Sequence, residues 1–316
     1  MTMIIEVIGG LALLFFGGEA LIRGAVAMAK DLGISPFVIG LTIVAYGTSS
    51  PELVVSVQAA LDGHPDIALG NVIGSNLSNI LCVMGITAII YPIAIDKKLS
   101  LIDGIFLSGV TAIFVLMCYF DSLNIISALL FISILIIYTF LVFRQAKKTK
   151  DNLAEKQIEE VEELLKGEIS LPKAITLCIF GIALLIFGGS LLVEGASSLA
   201  KWAGLSEAAI AVTIVAFGSS APELATSVIA AYHKNADIVF GNIIGSNLFN
   251  ILGVMGATTA VKSIPIYENF LTFDLPLLLI VTFSLSIMIY LLKSLSRGIG
   301  VAFLAIYLGY LGLQLT

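Results

Sequence analysis

Residues 42–60 read TIVAYGTSSPELVVSVQAA, and residues 213–231 read TIVAFGSSAPELATSVIAA. Beyond each lies a second matched pair, DIALGNVIGSNLSNI at 66–80 and DIVFGNIIGSNLFNI at 237–251. All four align at one offset of 171, and between 40–80 and 211–251, 24 of 41 positions are identical. The same offset carries Phe16-Gly17-Gly18 onto Phe187-Gly188-Gly189 and Gly33 onto Gly204. Self-similarity of this strength is an internal duplication.

The chain around these motifs is built for lipid. Of its 316 residues 59% are hydrophobic and 12% charged, with a mean hydropathy of +1.07; a soluble domain carries about 25% charged residues. Residues 122–143 run 22 positions without a charge, and roughly 20 apolar residues cross a bilayer core. Breaks at charge, Pro and Gly divide the chain into ten spans, near 3–29, 36–61, 66–92, 101–119, 122–144, 171–199, 206–231, 237–261, 271–291 and 298–315. Met1 to Leu21 holds no Lys or Arg, so the first span lacks the basic start of a signal peptide and is expected to remain as a transmembrane helix. Cys82, Cys118 and Cys178 fall inside apolar segments without metal-ligand spacing and read as packing residues.

Each copy of the motif pair thus sits in a set of five spans. The expected fold is an all-α membrane protein of ten transmembrane helices, arranged as two inverted-topology five-helix repeats over 1–145 and 171–316, with a linker at 146–170. Five is odd, so the second copy starts from the opposite side of the membrane. Inverted repeats of this kind mark secondary transporters, whose binding site lies near the midplane where the repeats meet. The linker contains KKTKDNLAEKQIEEVEELLKGE at 147–168, with Ile158, Val161, Leu164 and Leu165 at helical spacing. It reads as an amphipathic surface helix whose glutamates are solvated, because no EF-hand ligand spacing is present.

Basic residues orient the chain. With the amino terminus outside, Arg23, Lys30, Lys97, Lys98, Arg144, Lys147, Lys148, Lys150, Lys156, Lys166, Lys173, Lys234, Lys293 and Arg297 are cytoplasmic, and only Lys201 and Lys262 are external. The positive-inside rule therefore places both termini outside and the 146–170 loop in the cytoplasm, in a cell (inner) membrane.

Glu52 and Glu223 stand in mid-span at equivalent positions. A carboxylate there costs at least ~2.5 kcal/mol against lipid, so each is expected to face a polar interior. Pro51 and Pro222 withhold an N–H from the carbonyls of Gly47 and Gly218, and freed carbonyls at membrane depth are tolerated where they line a cavity. Thr48 and Ser49 lie four and three residues before Glu52, and Ser219 and Ser220 repeat this before Glu223, which puts hydroxyls beside both carboxylates. Asn71, Ser75 and Asn79 share one helix face, as do Asn242, Ser246 and Asn250, while Asn76 and Asn247 lie off that face and read as structural. Gly70, Gly74, Gly241 and Gly245 thin these helices for close packing. The result is an oxygen-only ligand set of the kind that hard cations such as Ca2+ prefer.

GTSSPE and GSSAPE, each followed by a GN-x-I-G-S-N-L-x-N segment, resemble the two alpha repeats of the cation/calcium exchanger superfamily, and most closely those of its sodium/calcium exchanger branch. The resemblance covers essentially the whole chain. It implies exchange of Ca2+ for Na+ by alternating access, with the second, third, seventh and eighth helices forming the ion core and the first helix of each half sliding against it. It further implies that Glu52 and Glu223 bind Ca2+ and share Na+. By the same resemblance, Thr48, Ser49, Ser246 and the carbonyl of Ala45 serve one flanking Na+ site. Ser219, Ser220, Ser75 and the carbonyl of Ala216 serve the other, and Asn79 and Asn250 complete the middle. Where potassium-dependent relatives carry an aspartate this chain has Asn250, which argues against a potassium requirement. The short linker has no room for the large calcium-sensing domains of animal exchangers.

Charge counting leaves the coupling ion open, since two glutamates can neutralise one Ca2+, take up two H+ or sit among several Na+. The alternative is therefore an H+/Ca2+ antiporter. Proton-coupled relatives carry a glutamate within the GN-type motif, where this chain has Asn71-Val72-Ile73 and Asn242-Ile243-Ile244, and sodium is favoured. A cation channel is the weaker reading, because it needs no inverted pseudosymmetry. No nucleophile–base constellation suggests an enzyme. No cofactor, nucleic acid or obligate protein partner is expected; the partners are the two ions and the bilayer.

Overall fold

The computed structural model describes residues 2–120, 122–148, 169–202 and 216–314. Helix α1 (Thr2–Leu32) is followed by α2 (Pro36–Thr48) and α3 (Ser50–Leu61), which meet at a 42° bend, and then by α4 (Pro65–Ile90). Helices α5 (Lys97–Tyr119) and α6 (Ile125–Lys148) complete the first half. The second half opens with α7 (Leu171–Trp202) and continues with α8 (Ala216–Ser219) and α9 (Ala221–Tyr232). Helices α10 (Ala236–Val261), α11 (Phe270–Leu291) and α12 (Arg297–Gln314) end it.

Among the described residues, eight helices are long and apolar enough to cross a membrane, or nine if α2 and α3 count as one bent span. This falls short of the ten read from the sequence because residues 203–215, the start of the expected span at 206–231, lie outside the described residues. The amphipathic helix expected at 147–168 falls almost wholly outside them too. Side chains such as Ile8, Phe15, Ile126, Phe140, Ile179 and Phe187 are exposed on the outer faces, as an integral membrane protein in hydrocarbon requires.

Helices α4 and α10, which carry the GN motifs, form the enclosed centre: 78% and 94% of their most apolar stretches are buried, against 17% for α12. Helix α10 is drawn onto α2 by its glycines. A Cβ at Gly241 would stand 2.8 Å from the backbone nitrogen of Leu41, and one at Gly245 would stand 2.7 Å from the Cβ of Ala45. Both α4 and α10 widen into π-helical turns, at Ser78–Val83 and Asn250–Met255. Such turns are frequent at functional sites.

Helices α1 and α7 lie along one another through glycines spaced seven apart. Gly10, Gly17 and Gly24 correspond to Gly181, Gly188 and Gly195 at the offset of 171. A Cβ at Gly10 would stand 2.9 Å from the carbonyl of Gly188, and one at Gly181 would stand 2.7 Å from that of Gly17, so backbone meets backbone in the manner of close-packed membrane helices.

Two short antiparallel ladders join the halves. β1 (Ile93–Ala94) pairs with β4 (Ser294–Leu295), Ile93 opposite Leu295; β2 (Ser122–Leu123) pairs with β3 (Ile264–Pro265), Leu123 opposite Ile264. Each ladder takes one strand from each half. Ile93 maps onto Ile264 at 171, while Leu123 maps onto Leu295 at 172, so the second half is one residue longer between these points.

Candidate functional site

The two glutamate motifs fold alike. Ser49 adopts φ −87°, ψ 11° and Ser220 φ −89°, ψ 7°, in the sparsely allowed bridge region, and each is followed by a helix with proline in its first turn. The missing proline N–H keeps the turn open on the side of Gly47 and Gly218. The carbonyl of Ala45 accepts from the Ser49 N–H at 3.0 Å and from Thr48 Oγ1 at 3.2 Å. Ala216, its equivalent, opens the described part of the second broken helix.

The hydroxyls of the first half reach across to the second. Ser49 Oγ donates to Glu223 Oε1 at 2.7 Å, and Thr48 Oγ1 approaches Asn242 Oδ1 at 3.4 Å. Spacing along one helix placed these hydroxyls beside Glu52; the bend at Ser49 instead turns them toward the opposite repeat. Glu52 and Glu223 are each 1% exposed. Neither has a cationic side chain among the described ion pairs.

Most of the other residues expected at the site are buried as well. Thr48, Ser49, Ser75, Asn79, Ser220, Ser246 and Asn250 are all buried, and Ser219 is half-buried. Glu52 Oε2, Glu223 Oε2, Ser220 Oγ, Ser246 Oγ, Asn250 Oδ1 and both polar atoms of the Asn79 amide are buried without a hydrogen-bond partner among the described residues. Buried polar groups are ordinarily paired, and a charge taken out of water needs compensation. Oxygens of these kinds suit a hard cation, whose charge would offset the carboxylates and whose shell would take up the spare lone pairs. Among the described residues no three His, Cys, Asp or Glu side chains come together.

Several arrangements were not legible beforehand. Asn76, read as structural, accepts from Asn250 Nδ2 at 3.1 Å, while the amide of Asn247 donates to the carbonyl of Ile243 at 2.7 Å. Asn71 and Asn242 send their amide nitrogens to Ser56 and Ser227 at 2.9 and 3.1 Å, two serines that only the repeat offset could have flagged. Further out, Asp103 and Asp274 form an equivalent pair, bound by Tyr138 at 2.7 Å and Tyr310 at 2.9 Å. His233, at the end of α9, lies 2.7 Å from Glu19 on α1, which also accepts from Arg23 Nε at 2.6 Å. Cys82, Cys118 and Cys178 are free and buried, as packing residues should be.

Comparison with known proteins gives a consistent result. The pattern of the sodium/calcium exchanger protein family matches residues 3–144 and 173–316. An uncharacterized membrane protein of Methanocaldococcus jannaschii is 34% identical over 302 residues, 95% of this chain and 93% of its own. The sodium/calcium exchanger MaX1 of Methanosarcina acetivorans is 29% identical over 333 residues, 96% of this chain and 95% of its own. Among solved structures, the sodium-calcium exchanger NCX_Mj soaked with Na+ and Ca2+ superposes with a TM-score of 0.83 at 30% identity, covering 98% of this chain and 97% of that one.

Proposed function

This chain belongs to the sodium/calcium exchanger protein family, and from that premise we propose that it exchanges Ca2+ for Na+ across a cell membrane by alternating access. The observation that carries the reading is the buried oxygen cluster across the two halves, with the Ser49 hydroxyl of one half bound to the Glu223 carboxylate of the other. Glu52 and Glu223 hold Ca2+ and are shared with Na+. Thr48, Ser49, Ser246 and the Ala45 carbonyl serve one flanking Na+; Ser219, Ser220, Ser75 and the Ala216 carbonyl serve the other; Asn79 and Asn250 close the middle.

The full architecture belongs to the same proposal. Ten helices in two inverted repeats, 1–145 and 171–316, enclose the ions at mid-membrane, and the 146–170 linker and the basic loops face the cytoplasm. Support comes from the family pattern matching in two stretches, from the same bend at Ser49 and Ser220, and from the equivalent ladders and Asp–Tyr pairs.

A second reading, H+/Ca2+ antiport, draws on one observation: Glu52 Oε2 and Glu223 Oε2 lack a protein partner, and a proton could occupy either. Radiolabelled calcium uptake into liposomes, driven in parallel by outward sodium and outward proton gradients, separates the two. Sodium-driven uptake is the expected outcome. Uptake driven by protons alone would replace the sodium reading, and uptake with neither gradient would overturn calcium antiport.

A further inference from the structure

A side-chain amide has two ends of nearly the same size and opposite use to a cation: the carbonyl oxygen can coordinate it, and the NH2 group repels it. An amide in the ion path is therefore useful only if something holds its nitrogen away. The described residues show such a holder in each half. Asn71 on α4 donates from Nδ2 to the Ser56 hydroxyl at 2.9 Å and to the backbone carbonyl of Glu52 at 3.2 Å. A backbone carbonyl only accepts, so this contact identifies the nitrogen end and fixes which way the amide lies. Asn242 on α10 donates from Nδ2 to the Ser227 hydroxyl at 3.1 Å, and its Oδ1 faces Thr48 Oγ1 at 3.4 Å. Ser56, Ser227 and Asn242 are fully buried, so water does not compete for these contacts.

The two arrangements are one device used twice. Ser56 and Ser227 stand 171 apart, as do Asn71 and Asn242, and each serine is four residues beyond its glutamate. We propose that Ser56 and Ser227 are positioning residues that capture the NH2 ends of Asn71 and Asn242, so that both amides offer only oxygen to the transported ion. By the repeat, Asn71 stands toward Ser219 as Asn242 stands toward Thr48. The serines touch no ion themselves; each ties a glutamate-bearing helix, α3 or α9, to the amide-bearing helix beside it. This inference rests on the exchange reading above.

The test uses the full-length protein in liposomes, with parent, Ser56→Ala, Ser227→Ala, Ser56→Thr and Ser227→Thr, and reads sodium-driven calcium uptake against Na+ and Ca2+ concentration. An ordinary hydrogen bond is worth about a fivefold change in an equilibrium constant. Each alanine variant is therefore expected to raise the half-saturation concentration of Na+ or Ca2+ about fivefold while the maximal rate stays near the parent's. Threonine keeps the hydroxyl and is expected to restore the parent's half-saturation. In an Asn71→Ala background, Ser56→Ala should add nothing further. Unchanged half-saturation in both alanine variants, a loss confined to maximal rate, or threonine as damaging as alanine would overturn the proposal. Failure of both alanine variants to fold would overturn it too, since the hydroxyls would then be supports of the helix pair alone. Should the parent show no sodium-driven uptake, the exchange reading fails by itself. The same variants are then judged by the Ca2+ and Na+ concentrations needed to raise the melting temperature of purified protein, where the same outcomes decide.

Discussion

Glu52 and Glu223 are two carboxylates nearly without solvent, and Glu223 accepts from the Ser49 hydroxyl of the opposite half. A ligand that binds only the folded state raises stability by about 2.7 kcal/mol at a hundred times its dissociation constant. Calcium should therefore raise the melting temperature of the purified parent. Glu52→Gln and Glu223→Gln should abolish that rise while melting no lower than the parent without calcium, because each replaces a buried carboxylate with a neutral amide. Their calcium uptake at subsaturating Ca2+ should fall by more than about 100-fold, beyond the 10- to 100-fold seen when outer supports of a metal site are lost. Near-parental uptake in either variant would remove the carboxylates from the site.

Elements differ in how much room they leave, and their glycines record it. Helices α1 and α7 meet through backbone at Gly17 and Gly181, and α10 sits against α2 at Gly241 and Gly245. Gly109 on α5 is exposed, and among the described residues no heavy atom lies within 4 Å of where its Cβ would stand. Gly241→Ala and Gly181→Ala should each lower stability by about 1–3 kcal/mol, the usual cost of overpacking, read as a lower melting temperature in detergent. Gly109→Ala should fold like the parent. A destabilised Gly109→Ala beside an unaffected Gly241→Ala would contradict the packing described. Helix α1 is also tied to the end of α9 by the contact between Glu19 and His233.

At the scale of the whole molecule, the proposed orientation rests on the asymmetry of fourteen basic residues against two. The native cysteines are buried, so single cysteines introduced at positions 150–165 give a clean signal. A membrane-impermeant thiol reagent should label them in inside-out vesicles and leave them unlabelled in right-side-out ones. Labelling from the outside would invert the assigned topology. The ladders Ile93–Leu295 and Leu123–Ile264 bind the loops of one half to those of the other, so the halves are fastened at two places.

Much of this was determined by the sequence alone. Duplication is visible because equal sequences have equal offsets, and membrane spans because hydrocarbon demands long apolar runs. The buried carboxylates are visible because nothing else explains a repeated glutamate in mid-span. Those signals are local or periodic, and a linear string displays them. Contacts across the repeats needed the tertiary structure: Ser49 reaching Glu223 rather than Glu52, Asn250 pairing with Asn76, and Asn71 turned toward Ser56. Each depends on the angle of a helix break and the crossing of helices far apart in the chain. Spacing along one helix tells which side chains share a face; the bend at Ser49 and the glycine contacts of α10 decide what that face meets.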